Sequence, residues 1–470
     1  MLLQPGLRWE LNQCYEAEPT WTHDPNVQVI VKLARQHLHF SKDDECTADY
    51  FMQGAFNRIY LVRCPRGGKD ERSFIFRVSL PVDPGFKVSS DVATMTYVRE
   101  HTNAPVPRVV AFDPSHENEL GFAWTIMEMM PGQPLCHRYR YMTRKQKEDL
   151  VRRIAEIVAQ MFRSKFHGIG NLYQAADASP QQTDCDIIGR TPHRAENAHT
   201  DESSVVGVGD ADLSSSGEAG KNGPSARYRI GRIVQMSFLW HKRVHYDIYR
   251  GPFACSYDWL AARLAFVLTD SVAILKNPVL EQRQKFLASK YSLTARRIQK
   301  QLPNFFPRED SYPDQVIPET TTLHHYDMSG YNVLVDEEGQ LTALLDWDGV
   351  SAVPLWKACQ MPEFLVSRYI DEMGDDSPKR MDNGSIVSQL AKEEAISLEK
   401  AQLRNLFLAE MRRLEPYWVD VYRTSERSAD FEVAVQLCDS RSNTDTVGEW
   451  LRDIEQGKEY WSLQRRLLGE

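Results

Sequence analysis

The segment LHHYDMSGYNVLVDEEGQLTALLDWDG, residues 323–349, gathers His324, His325, Asp327, Asn332, Asp346 and Asp348 into one short stretch. Its apolar runs NVLVD and LTALLDWD, separated by EEGQ, read as the two strands of a hairpin. The simplest pairing sets Val335 near Leu341, puts Asn332 opposite about Leu344 and leaves Asp346 two residues, ~7 Å, further along. An amide oxygen and a carboxylate at that separation are hard ligands suited to Mg²⁺, which fills its remaining octahedral positions with water and substrate phosphate oxygens. Asp327, on the loop that enters the hairpin, faces the same space and is placed to orient or deprotonate a hydroxyl nucleophile. Two other readings stand beside this one. His324, His325 and Asp327 are also the right chemistry for a zinc or di-metal hydrolase, although no HxH or HExxH supplies further ligands. Asp348 shares the strand face of Asp346 and serves either as an auxiliary ligand or as a hydrogen-bond partner of the nearby backbone.

The elements that must carry this hairpin fall into two groups. From Tyr50 onward, AFNRIYLVRC and SFIFRVSL are strand-like runs joined by a turn around Gly67 and Gly68. VSSDVATMTYVREH then spaces Val92, Met95 and Val98 as a helix, with Ser89 or Ser90 as its N-cap. APVPRVVAFD and GFAWTIMEMMPG follow as two more strands. Beyond them, Thr143 with Gln146 forms a capping box ahead of a helix with Leu150, Ile154, Ile157 and Met161 on one face. The stretches 246–275 and 281–302 also read as helical. The expected fold class is therefore α+β: a small antiparallel-sheet lobe with one helix, and a larger, mainly helical lobe carrying the hairpin. The boundaries expected are a helical extension over 1–49, the small lobe over 50–130 and the helical lobe over 131–470, with the catalytic segment at 323–349. Residues 176–226 are rich in Gly, Ser and Asp and have no Phe, Tyr or Trp, which predicts a disordered insertion.

His-x-Asp-x4-Asn followed by a hairpin ending in Asp resembles the catalytic segment of the aminoglycoside phosphotransferase and choline kinase branch of the protein-kinase-like enzymes, above all its large fungal members. GAFNRIYLV, DVATMTYVREHTNAPVPRV, GFAWTIMEMMPGQPL and RGPFACSYDWLAARL resemble further family segments in the family's order. The resemblance implies a bilobal kinase-like fold, with ATP and Mg²⁺ as cofactors. It implies Asp327 as catalytic base, Asn332 and Asp346 as metal ligands, and His325 as a brace for the loop. It also implies a nucleotide-covering loop around Gly54 and Asn57, and a hinge from Glu128 to Met130 that offers backbone groups to adenine, lined by Ile75 and Met127. Where the family has a phosphate-gripping lysine this chain has Arg77, and where it has the partner glutamate it has Asp91. A longer cation facing a shorter carboxylate preserves the span of the pair. Glu100 is the fallback partner.

The expected activity is transfer of the ATP γ-phosphoryl group to a hydroxyl of a small molecule. The alternative is a nucleotide-binding, pseudokinase-like interaction protein. A protein substrate is disfavoured because WDGVSAVPLW runs on quickly after Asp346, leaving no long activation segment. Composition agrees with a globular enzyme: 42% hydrophobic, 26% charged, net charge -9. The charge is spread along the chain, so nucleic acid is not an expected partner, and no apolar run suggests a membrane span. Eight separated cysteines without a CxxC pair read as a reducing compartment. With no secretory or arginine-rich leader visible, the expected localisation is cytoplasmic.

Overall fold

The computed structural model describes residues 4–11, 17–40, 45–66, 69–175, 227–308, 318–366 and 383–469. It begins with an antiparallel hairpin, β1 (Leu7–Leu11) and β2 (Ala17–Trp21). A single helix follows, α1 (Val27–His37), capped by the Asn26 side chain, which accepts from the Gln28 amide at 2.9 Å. The helical extension expected over 1–49 is thus corrected. Leu7, Trp9 and Leu11 recur with the two-residue period of a strand, and only the stretch from Val27 has a helix's stripe.

The small lobe is a five-stranded antiparallel sheet. Its strands are β3 (Thr47–Gln53), β4 (Asn57–Arg66), β5 (Lys69–Ser79), β6 (Val109–Asp113) and β7 (Ala123–Glu128), in the order β3-β4-β5-β7-β6. The first strand was not anticipated, and the turn expected at Gly67 and Gly68 lies outside the described residues. Between β5 and β6 runs α2 (Phe86–His101), preceded by Gly85 at φ 84°. It starts a turn before Ser89 and Ser90, and that extra turn carries Lys87. Val88, Val92, Met95 and Val98 are buried, as are Lys87, Ser89, Ser90 and Asp91, because α2 lies in the seam between the lobes.

The larger lobe continues through β8 (Gln133–Pro134), α3 (Leu135–Arg138) and α4 (Arg144–Arg163), whose capping box joins Thr143 and Gln146 as expected. Next come β9 (Phe166–His167), β10 (Gly170–Gln174), β11 (Tyr228–Gly231) and α5 (Met236–Leu239). The insertion expected at 176–226 falls outside the described residues. Helices α6 (Ser256–Lys276) and α7 (Gln282–Phe305) pack together. The first begins ten residues later than its sequence suggests, after Gly251-Pro252 has interrupted the run. Then follow β12 (Thr320–His324), β13 (Val333–Val335), β14 (Leu341–Leu344) and β15 (Ser351–Pro354). The chain closes with α8 (Leu355–Ala358), α9 (Glu363–Val366), α10 (Asn383–Leu414), α11 (Pro416–Thr424), α12 (Glu426–Leu437), α13 (Thr444–Glu455) and α14 (Leu463–Leu468). The α+β, two-lobed class agrees with expectation. The larger lobe nevertheless holds more sheet than its sequence suggests: β11-β10-β15-β12-β9 form one layer and β14-β13-β8 another. Strands of two to five residues are too short to show an alternating pattern.

Candidate active site

The candidate hairpin is built by β13 and β14, paired Val333↔Leu344 and Leu334↔Ala343, with a register shift before Val335↔Leu341. That bulge moves the pairing by one residue from the simplest register. The Leu345 amide therefore donates to the Asn332 carbonyl at 2.8 Å, and Asp346 stands one residue beyond Asn332's partner rather than two. The turn is held by Asp336, whose carboxylate accepts from the Gln340 amide at 2.7 Å, with Gly339 at φ 79°.

The loop between β12 and β13 is tied down at His325. Its Nε2 donates to the Leu345 carbonyl at 2.9 Å, which leaves Nδ1 to accept from the Asp327 amide at 3.3 Å. Burial pushes this imidazole down to about 4, so it stays neutral. The Trp347 ring meets it edge-on at 4.6 Å, and Trp347 Nε1 donates to the Leu344 carbonyl at 2.9 Å. Asn332 Nδ2 donates to the Asp327 carbonyl at 3.1 Å, and among the described residues no donor engages its amide oxygen. Asp327 itself is exposed on the cleft.

Asp346 sits at φ 59°, a left-handed conformation that is uncommon for a non-glycine residue and clusters at functional sites. Its carboxylate is reachable from the cleft yet crowded. Burial pushes it up to about 6, the neighbouring Asp348 carboxylate adds to the rise, and Arg77 and Lys87 oppose it. Among the described residues no side chain or backbone amide donates a hydrogen bond to it. An unpartnered carboxylate beside an unengaged amide oxygen is a donor set of hard oxygens, and it fits a divalent cation such as Mg²⁺. Among the described residues no three His, Cys, Asp or Glu converge as metal ligands. His324 is half-buried against Tyr326, and burial keeps it neutral. The hydrolase reading therefore finds no ligand set.

Across the seam lies a cluster that the sequence only partly revealed. Arg77 is not simply paired with Asp91, which it reaches at 3.4 Å. Its shorter bond is to Asp348. Lys87 Nζ lies 3.0 Å from Asp91 and 2.6 Å from Asp348. Asn57 Nδ2 donates to the same Asp348 carboxylate at 2.7 Å, while Ser79 Oγ donates to Asn57 Oδ1 at 2.7 Å. Asp91 also accepts the Gly349 amide at 3.2 Å. Two cations outweigh burial at Asp348 and hold its carboxyl far below the usual carboxylate range. Lys87 was missed, although its spacing of four from Asp91 on a helix was a usable signal. Among the described residues no backbone group bonds the Asp348 carboxylate. Its partners are three small-lobe side chains. Glu100 faces away, accepting from Tyr228 at 2.8 Å, and is not the substitute partner.

The remaining expected residues lie around this centre. Gly54 has a negative φ and open space where a Cβ would stand, and its amide donates to the Asn57 carbonyl at 2.9 Å. The next loop residues are gripped from outside: Arg58 stacks over Trp21 at 4.6 Å and pairs with Asp24, while Phe56 meets Trp240 edge-on at 6.0 Å. Trp240 in turn packs against Trp9 at 5.2 Å. In the hinge, the Glu128 amide already donates to the Arg108 carbonyl at 3.0 Å, its carboxylate pairs with Arg99 at 3.2 Å, and Met130 is half-buried. Past Met130, β8 pairs with β13, Leu334↔Pro134 and Val335↔Gln133, which joins this segment to the candidate hairpin.

Fold and site together define a two-lobed α+β architecture, with a small antiparallel-sheet lobe beside a larger, mainly helical one. Residues 51–203 match the family model described as the phosphotransferase enzyme family, APH. A subtelomeric hrmA-associated cluster protein of Aspergillus fumigatus is 31% identical over 127 residues, 27% of this chain and 24% of that protein. Altered inheritance of mitochondria protein 9, mitochondrial, of Eremothecium gossypii is 24% identical over 377 residues, 72% of this chain and 55% of that protein. The chain thus spans from about a quarter to about half the length of these curated relatives. The ADP-bound crystal structure of aminoglycoside phosphotransferase APH(2'')-Ib superposes with a TM-score of 0.43 and 10% identity, covering 91% of this chain and 97% of that one. The cytoplasmic expectation is corrected: the relatives that align with most of this chain are named as mitochondrial proteins. A targeting address is read by a receptor and need not leave a trace in the fold. No described helix is long and apolar enough to cross a membrane.

Proposed function

We propose that the protein transfers the γ-phosphoryl group of ATP to a hydroxyl of a small molecule. The observation that carries this reading is the convergence of Asp327, Asn332 and Asp346 at one end of the hairpin, opposite the Arg77 and Lys87 cations of the small lobe. Adenine packs at the hinge against Ile75 and Met127, side-by-side neighbours on β5 and β7. Arg77 grips phosphate, with Asn57 and the loop after Gly54 above it. Asn332 and Asp346 would hold Mg²⁺, whose charge offsets that of the phosphates. Asp327 accepts a hydrogen bond from the acceptor hydroxyl and takes its proton as oxygen attacks the γ-phosphorus. The bond from that phosphorus to the β,γ-bridging oxygen breaks, leaving a phosphomonoester and ADP. His325 keeps Asp327 in place through the loop backbone and moves no proton. The mitochondrial naming of the long relatives supports that compartment for this chain as well.

The test is the melting temperature with and without ATP and Mg²⁺, followed by ADP release against a panel of hydroxylated amines and sugars. A nucleotide shift lost in Asp346→Asn, with turnover at least 100-fold lower in Asp327→Asn, is expected. A shift that persists in the natural chain with no ADP released against any acceptor would favour the interaction protein instead. No shift at millimolar ATP would refute both readings.

A further inference from the structure

Three donors from three small-lobe elements meet on one carboxylate of the other lobe. Asn57 Nδ2 comes from β4, Arg77 from β5 and Lys87 Nζ from α2, and all three contact Asp348. Arg77 and Lys87 are buried, with side chains 8% and 4% exposed. Each donor is also aimed by a partner other than Asp348: Ser79 orients Asn57, and Asp91 holds Lys87 and, less closely, Arg77. The donors would therefore keep their aim if Asp348 left. Arg77 Nε is buried and has no hydrogen-bond partner among the described residues, so the guanidinium's capacity is not exhausted there.

We infer that this is a preorganised polyphosphate site which Asp348 fills as an internal stand-in, and that an incoming di- or triphosphate displaces the Asp348 side chain. The inference rests on the phosphotransferase reading of the cleft and adds to it a competitor built into the chain. The chemistry matches on both sides. A phosphate group presents two or three oxygens at the hydrogen-bonding distances that the carboxylate oxygens occupy now, and it carries more charge. With Asp348 in place, Arg77 and Lys87 are balanced by Asp91 and Asp348. Once the Asp348 carboxylate withdraws, Asp91 is the one carboxylate left within hydrogen-bonding reach of the two cations among the described residues, with Asp346 the next nearby. The affinity of the resting protein for phosphate is thus lowered by the fraction of time Asp348 occupies the site. Lys87 becomes a second phosphate-facing cation beside Arg77, with one of its three N–H donors not engaged by either carboxylate.

Binding of pyrophosphate, ADP and adenosine is measured by titration calorimetry on the full chain, in EDTA so that no divalent cation contributes. Asp348→Asn should tighten pyrophosphate and ADP about tenfold, and Lys87→Gln should weaken both about tenfold. Adenosine binding should be unchanged in each. That control separates phosphate contact from a general loosening of the fold. Should Asp348→Asn fail to fold, judged by circular dichroism, Lys87→Gln decides alone. Pyrophosphate binding that is equal in Lys87→Gln and the natural chain overturns the inference, as does a folded Asp348→Asn that binds no tighter. In the natural chain, ADP binding more tightly than pyrophosphate names a nucleotide as the occupant, and equal binding names a free inorganic polyphosphate. The order among the variants carries the inference either way. ATP turnover without that order overturns the stand-in alone; the order without turnover overturns the transferase alone.

Discussion

Glu432, on α12, is 3% exposed and pairs with Lys357 of α8 at 2.8 Å and with Arg263 of α6. This buried triad ties the segment leaving the catalytic sheet to the helices behind it. Burial pushes the Glu432 carboxyl up, but Lys357 and Arg263 outweigh it and hold the group down at about 2, against 4.5 ordinarily. A carboxyl lowered by that amount contributes about 3 kcal/mol to folding when ionised. Because the folded value is the depressed one, the contribution is fully present above pH 4.5. It drains away as pH falls toward 2. Glu432→Gln removes it at every pH and leaves two cations facing each other, a loss of about 3–5 kcal/mol near pH 7 by the precedent of broken buried pairs. Urea unfolding at intervals from pH 7 to pH 3 measures both effects. The natural chain should lose stability more steeply than the variant below pH 4.5, so that the two curves converge. Parallel curves, or a difference below about 1 kcal/mol at pH 7, would refute this account of the triad.

Three further outcomes are expected. Gly132 lies at φ 103°, and a Cβ there would stand 2.3 Å from Thr342 Oγ1 and 2.8 Å from the Val335 carbonyl oxygen. Gly132→Ala should therefore cost about 1–3 kcal/mol in urea unfolding. Asn171 is wholly buried and bonds Ser90, Ser351, the Val350 carbonyl and the Val234 amide. Asn171→Ala strands those groups and should lower stability by about 3 kcal/mol, read as an earlier denaturant midpoint. Arg58→Ala frees the nucleotide-covering loop from Trp21 and Asp24, so the KM for ATP should rise several-fold while kcat changes less than twofold.

The hairpin was legible because both of its strands and its turn are contiguous, and the eight-residue motif from His325 to Asn332 needs no tertiary information to be seen. Its register was not, since the bulge near Val335 is decided by how β8 packs against β13. The same division runs through the charge cluster. Arg77 and Asp91 could be assigned by motif order. Asp348 meets Asn57, Arg77 and Lys87 only when the lobes close, and no local pattern encodes a contact spanning most of the chain. Lys87 lay within reach of a spacing argument, but a helix started at Ser89 or Ser90 leaves it outside. The hairpin at residues 7–21 was hidden by brevity: two five-residue strands carry too few alternations to outweigh a default helical reading.

That hairpin has a consequence for the order of assembly. Leu7 is buried with Phe238 and Leu239, and Trp9 rests on Trp240, residues that leave the ribosome long after the small lobe has been made. The loop carrying Phe56 shares the same aromatic stack. The small lobe's sheet can form from neighbouring strands early in synthesis, but the stack over its loop waits for a partner encoded far downstream. A nascent chain arrested before Trp240 should therefore carry a folded sheet whose loop is held at Arg58 by Trp21 and Asp24 but lacks its anchor at Phe56. The anchor at Phe56 would then arrive late in synthesis and abruptly, when the helical segment docks.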